Sequence, residues 1–240
     1  MRPFTFLSAA LLAATAAVPA AAQSDETGQA RPDGPFTTEF FLDRCTHETT
    51  GSNPYYVLQP GWRLVLAGED EGEEVVLVIT VTDRTRRVNG VETRVVIERE
   101  SVDGELVEIS RNFITHCRET GSIVYHGEEV DFYENGRIVS HDGSWLAGEN
   151  GAKAGILMPG TILLGARYFQ EVAPGIAEDR AEILSMTETL RTPLGLFENV
   201  LKVIETTPLE PGVREFKKHL LDVGLGQDGP IVLIFAGFVS

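Results

Sequence analysis

The sequence predicts an all-β protein: an antiparallel barrel, half-barrel or sandwich of about ten strands with one or two short helical turns. Three observations predict it. Short apolar or alternating runs follow one another at hairpin spacing from Trp62 to the C-terminus. The dipeptides Asn89-Gly90 and Asp103-Gly104 tolerate the positive φ angles that two-residue hairpin turns require, and Asn135-Gly136 repeats the signal. The runs around Val78 and Val232 are apolar on both faces. That suits the centre of a closed or covered sheet, whereas strands of a membrane barrel alternate throughout.

The chain opens with a segment that reads as a secretory signal peptide, residues 1–22. Arg2 supplies a positive start, an Ala-rich apolar run follows to Val18, and Ala20-Ala21-Ala22 offers small residues before Gln23. Cleavage near Ala22-Gln23 places the mature protein in a periplasm or outside the cell. Residues 23–35 have no periodicity and read as a disordered leader. Residues 36–240 form the predicted domain. Phe36 to Leu42 is a short helix or extended segment, and Pro60-Gly61 is a turn before the first strand at Trp62. Strands are expected at 62–67, 74–81 and 92–102. In the strand after Asp103-Gly104, Val107, Ile109, Phe113 and Cys117 alternate with Glu108, Ser110 and Asn112, which sets an apolar face against a polar one. Strands at 122–126, 130–133 and 137–140 follow, then a long glycine-rich loop at 143–160. Further strands are expected at 166–172, 180–187, 200–206, 213–221 and 230–239, with a turn or single helical turn at 193–199. Gly224 to Gly229 reads as a hairpin turn and not as a dinucleotide-binding loop, because a strand and not a helix follows it.

Composition limits the partners. The formal charge is −16, and loss of the signal peptide with Arg2 takes it to −17. So acidic a surface repels phosphate backbones and anionic lipid heads, so nucleic acid is not an expected partner. No apolar stretch after the leader reaches the roughly 18 residues of a membrane-spanning helix. Cys45 and Cys117 are the two cysteines. In an oxidising compartment such a pair is expected to form a disulfide, closing a loop of about 70 residues and contributing about 4 kcal/mol.

No catalytic motif is assembled. Ser140, His141, Asp142 and Ser144 bring triad residue types together, but neighbours along a strand point apart, and the cluster reads as a polar turn. For a metal, His126 and Glu128 would share one strand face while Glu129 and Asp131 share the other. With Glu178 or Asp179 they would form a carboxylate site for Ca2+, or a zinc site through His126. The alternative is a solvated acidic face. For an apolar ligand, Tyr55, Tyr56, Trp62, Tyr133, Trp145 and Tyr168 are the candidate contacts, with the hydrophobic core as their other use.

Asn53-Pro54-Tyr55-Tyr56-Val57-Leu58-Gln59-Pro60-Gly61 resembles the opening of a bacterial secreted and lipoprotein β-rich family of unassigned function. Tyr133-Glu134-Asn135-Gly136, Gly143-Ser144-Trp145, Gly151-Ala152-Lys153-Ala154-Gly155-Ile156-Leu157-Met158-Pro159 and Ala177-Glu178-Asp179 continue the resemblance. Phe197-Glu198-Asn199-Val200-Leu201-Lys202 and Thr207-Pro208-Leu209-Glu210-Pro211-Gly212 extend it. It implies an extracytoplasmic domain distantly similar to the half-barrels of periplasmic lipoprotein carriers, and no known reaction. The chain departs from the family near its end, where His219-Leu220-Leu221-Asp222-Val223-Gly224-Leu225-Gly226 replaces an aromatic pair and Ala-Pro-Gly-Val-Gly. The expected function is non-enzymatic binding of a small apolar ligand or an envelope partner. The alternatives are a secreted hydrolase using dispersed carboxylates and a weak divalent-cation binder.

Overall fold

The structure, a computed structural model, describes residues 34–239. The expected signal peptide and nearly all of the leader lie outside the described residues. A 3-10 turn, Leu42–Arg44, precedes β1 (His47–Glu48), β2 (Gly51–Asn53) and β3 (Tyr56–Leu58). Five long strands form a first meander: β4 (Trp62–Asp70), β5 (Glu73–Val88), β6 (Val91–Val102), β7 (Glu105–Cys117) and β8 (Ile123–Glu134). The short strands β9 (Arg137–Ser140) and β10 (Trp145–Leu146) both pair with β8. After them come β11 (Lys153–Met158), β12 (Arg167–Phe169) and β13 (Glu171–Val172). A second meander contains β14 (Arg180–Thr192), β15 (Gly195–Thr206), β16 (Glu215–Leu220), β17 (Gly224–Asp228) and β18 (Ile231–Phe238). The fold is all-β, as the sequence predicts, but with 18 strands among the described residues instead of about ten.

One sheet runs in the order β12-β14-β15-β16-β17-β18-β4-β5-β6-β7-β8-β11-β13. Its two edge strands, β12 and β13, are separated in sequence by Gln170 alone. The edges therefore lie side by side, and the sheet curls into a nearly closed antiparallel barrel. Gly155 of β11 sits at this seam. A Cβ there would stand 2.4 Å from the Gln170 carbonyl oxygen, so the backbones meet where only glycine fits. Thr37 adds a parallel bridge to Tyr168 and covers part of the β12 edge.

Hairpin chemistry sets the register. Asn89 and Gly90 have φ of 45° and 83°, and Asp103 and Gly104 have 49° and 80°, the paired positive angles of a type I′ turn. Glu71-Gly72 and Asn135-Gly136 follow the same rule. The segments expected as separate strands at 122–126 and 130–133 are one strand with a bulge. Asn112 pairs with Glu128 but Ile114 with Tyr125, so β8 holds one extra residue, next to Gly127 at φ 145°. The loop expected at 143–160 contains β10 and β11, and β11 completes the barrel wall beside β8. The hairpin turn expected at Gly224–Gly229 is instead strand β17, with the reversal at Gly229-Pro230.

Cys45 and Cys117 form the expected disulfide, with Cα atoms 5.2 Å apart. It ties the N-terminal segment to β7, where His47 pairs with Cys117. Two hydrophobic clusters fill the wall, one around Phe113, Ile123, Ile183 and Leu201, the other around Leu66, Val200, Leu220 and Leu233. No helix among the described residues is long and apolar enough to cross a membrane.

Candidate functional site

The barrel encloses a cavity of about 1660 Å³. Its mouth lies at the hairpin-turn end, where Glu71, Asp103 and Asn135 all line it. Register defines the layers below. Leu77, Glu100, Glu108 and Phe132 lie abreast across β5 to β8; Ile79, Glu98, Ser110 and Val130 form the next row, and Val81, Val96, Asn112 and Glu128 the third. Facing them, Glu205 pairs with Glu215, Lys217 with Asp228, and His219 with Leu225. Tyr56 and Val57 of the β2–β3 hairpin line the far end, beside Trp62.

This arrangement turns the polar face of β7 into the barrel. Glu108, Ser110 and Asn112, the polar face of this strand, line the cavity with Ile114. Glu108 and Asn112 are buried, at 2% and 6% exposure. Phe113 and Cys117 pack in the hydrophobic cluster of the wall, as expected. The bulge at Gly127 also separates His126 from Glu128. Glu128 turns into the cavity with Tyr125, while His126 bonds Thr115 at 2.8 Å and stacks edge-on against His47.

The lining is strongly anionic. Eight carboxyl groups stand at the rim: Asp70, Glu71 and Glu73 from one turn, Asp103 and Glu105 from the next, and Glu134, Asp142 and Glu210. Eight lie deeper: Glu98, Glu108 and Glu128 on one wall, Glu205, Glu215 and Asp228 on the other, and Glu171 and Asp179 near the seam. Against them stand Lys217 and His219. Lys217 Nζ lies 2.8 Å from Glu205 Oε2 and 3.6 Å from Asp228 Oδ2. Gln170 donates to Glu205 Oε1 at 2.9 Å. Burial works against the Glu205 carboxylate, but Lys217 and Gln170 outweigh it and hold its pKa below the ordinary value. Burial also disfavours the Lys217 ammonium, and Asp228, Glu205 and Glu215 reverse that and raise its pKa.

For several of the other carboxyls burial prevails. Burial pushes Glu98 up to about 7 against the opposing pull of Lys217, and Glu128 up to about 8 despite a hydrogen bond with Tyr125. Glu215 rises to about 7 and Asp179 to about 6, again chiefly through burial. Burial and the neighbouring Asp179 raise Glu171 well above the carboxylate range. His219, also buried, falls to about 4 and stays neutral at physiological pH.

Of the aromatic candidates, Tyr56, Trp62 and Tyr133 line the cavity. Tyr55, Trp145 and Tyr168 belong to the wall: Tyr55 donates its hydroxyl to the Asn199 carbonyl, and Trp145 stacks edge-on against Tyr125. The metal candidates are not brought together. Glu129 pairs with Arg86, Asp131 with Arg111 and His141, and Glu178 accepts the Gly175 N–H, while Asp179 faces the cavity. Among the described residues the one group of three potential ligand atoms within 4.8 Å is Cys45, Cys117 and Glu119, two of which are locked in the disulfide. Ser140 and Ser144 accept backbone N–H groups of Asp142 and Val130, as turn residues do.

Sequence reasoning missed Glu98, Glu108, Glu205, Glu215, Lys217, His219 and Asp228. The available signal was alternation itself. A polar strand face looks the same in sequence whether it meets bulk water or a barrel interior. Comparison with protein-family models, curated proteins and solved structures finds no match to this chain.

Proposed function

We propose that this is an extracytoplasmic, non-enzymatic protein that takes a small, largely apolar ligand into the barrel. The cavity carries the reading. At about 1660 Å³ it exceeds the usual size of a small-molecule site, and Trp62, Leu64, Leu77, Ile79, Val81 and Ile114 line it with apolar side chains. The disulfide suits an oxidising compartment. The test is a neutral fluorophore, N-phenyl-1-naphthylamine, whose emission rises on entering an apolar pocket. Saturable binding that Ile79→Asp abolishes in a folded variant supports the proposal. The absence of saturable binding overturns it. Native mass spectrometry of the secreted protein then reads the mass of any retained ligand.

One observation favours a hydrolase as the second reading. Glu205 and Glu128 both line the cavity, and Glu205 is held towards its ionised form while Glu128 is pushed up to about 8; two carboxyl groups of such opposite character are what acid–base hydrolysis uses. That reading requires turnover of a glycoside or ester substrate, lost in both Glu128→Gln and Glu205→Gln.

A further inference from the structure

The cavity lining is divided in an unusual way for an apolar ligand. Leu77, Ile79 and Val81 make a greasy strip along β5, yet β6 beside it and β7 and β8 beyond carry the inward carboxyls of Glu98, Glu108 and Glu128. An apolar molecule alone would leave these groups buried against it with nothing to compensate their charge, which is costly. The lysine does not balance them. It is committed to Glu205 and Asp228; its pull on Glu98 does not overcome burial, and neither Glu98 nor Glu128, on the opposite wall, makes an ion pair among the described residues.

A second observation is independent of the number of acids. Asp228 is 4% exposed and lines the cavity, and its Oδ1 has no hydrogen-bond partner among the described residues. Nδ1 of His219, another lining residue, is buried and likewise lacks one. A buried acceptor left open in this way asks for a donor that the chain does not supply.

We propose that the ligand is an organic cation, with an apolar body along the β5 strip and at least one protonated amine between the β6–β8 and β15–β17 carboxyls. This rests on the ligand-binding reading above and names its ligand class. An ammonium group supplies both what the cavity lacks in charge and the N–H donors that Asp228 Oδ1 lacks. A bare metal ion fits less well. Apart from the disulfide group, no three potential ligand atoms among the described residues converge within 4.8 Å, whereas an organic cation can span facing walls. The acidic rim would draw a cation inward, because a cleft lined by one sign of charge raises the local concentration of the other.

Ionisation gives the proposal a signature. Glu98 faces Glu108, Lys217, Asp228 and Glu205, and Glu128 faces Tyr125, Glu108, Glu98 and Asp179. The ammonium arrives charged, each protonated carboxyl that it meets ionises, and the proton leaves to the buffer. Binding then releases protons and tightens from pH 6 to pH 8, as long as the amine stays charged.

The experiment uses three fluorescent probes with one apolar body: dansylcadaverine, its N-acetylated neutral form, and the dansyl derivative of 6-aminohexanoate, an anion. Titrations run in 0.5 M sodium chloride, which screens the exposed rim far more than the enclosed walls. The expected order is cation, then neutral, then anion, with the cation at least tenfold tighter than the neutral form. Glu98→Gln combined with Asp228→Asn, shape-conserving changes checked for folding by circular dichroism, should reduce that preference to below threefold while the neutral probe binds as before. Equal binding of cationic and neutral probes overturns the cation and leaves the apolar binder standing. Failure of all three to bind removes both readings. Displacement of dansylcadaverine by calcium chloride, but not by sodium chloride at matched ionic strength, also overturns the proposal, in favour of a metal ion.

Discussion

Lys217 Nζ and Glu205 Oε2 lie 2.8 Å apart on neighbouring strands, inside the barrel. Their backbone partners differ: Lys217 pairs with Val203 and Asp228, and Glu205 with Glu215 and Ala181. The ion pair is therefore diagonal across β15 and β16, and it binds two strands of the same wall. Each partner is about one-fifth exposed or less, so screening is limited.

Removing the lysine should destabilise the protein in a pH-dependent way. Lys217→Met leaves Glu205 and Asp228 enclosed without their cation, at an expected cost of about 3 kcal/mol at pH 8. At pH 5 the cost should be smaller, since the two carboxyls can then take up protons. Urea unfolding at both pH values checks this. A loss that is equal at pH 5 and pH 8 would mean that packing of the aliphatic stem, and not its charge, is what Lys217 contributes.

The bridge between Cys45 and Cys117 spans 72 residues. A chain-entropy argument assigns about 4 kcal/mol to a loop of this length. Cys45→Ser with Cys117→Ser, or reduction of the native protein, should lower stability by about that amount. It should also open 34–58 to proteolysis before the barrel strands, because β1 hangs on β7 beside the bridge. Limited proteolysis followed by mass mapping reads the order of cleavage.

The seam gives a third test. In Gly155→Ala the new methyl would meet Gln170 and Phe169 backbone atoms at 2.4 to 2.6 Å, with no flexible side chain to move aside. The edges must separate, at about 1 to 3 kcal/mol. Hydrogen exchange should report opening at 153–156 and 168–172 while β5 and β6 stay protected. Uniform loss of protection across the sheet would contradict a local seam.

What could be read from the sequence was local. Asn89-Gly90 and Asp103-Gly104 fixed two turns because their φ angles are a property of the dipeptide. The disulfide followed from there being two cysteines and an inferred compartment. The strand total was too low because β10, β11 and β17 lie in glycine-rich stretches whose pairing is decided by distant partners. The site was least visible. Glu98 lies far in sequence from Glu205 and Lys217, and only closure of the sheet turns their faces toward one another. Even Glu128 was assigned to the wrong neighbour, because the bulge at Gly127 reverses the alternation of β8 in a way no dipeptide signals.

The raised carboxyls make stability itself depend on pH, and the sign follows from their direction. Glu98 and Glu215 titrate at about 7 and Glu128 at about 8 in the folded protein, against 4.5 as the ordinary value. The folded state therefore holds more protons than the unfolded state between those limits, and stability falls as pH rises through them. Three histidines pull the other way at lower pH. Burial lowers His47, His126 and His219, so unfolding takes up protons below about 6.5. Glu205, Glu48 and Glu119 are lowered, and their contribution is lost only when pH falls through the acidic range. From pH 7 to pH 9 the cavity carboxyls act without these opponents, and each one still protonated costs about 1.4 kcal/mol per pH unit until it ionises. The melting temperature of the ligand-free protein should drop across this interval. Glu128→Gln, which cannot ionise, should flatten the drop. A melting temperature that is level or rising from pH 7 to pH 9 would show that cavity water hydrates these carboxyls well enough to ionise at ordinary pH.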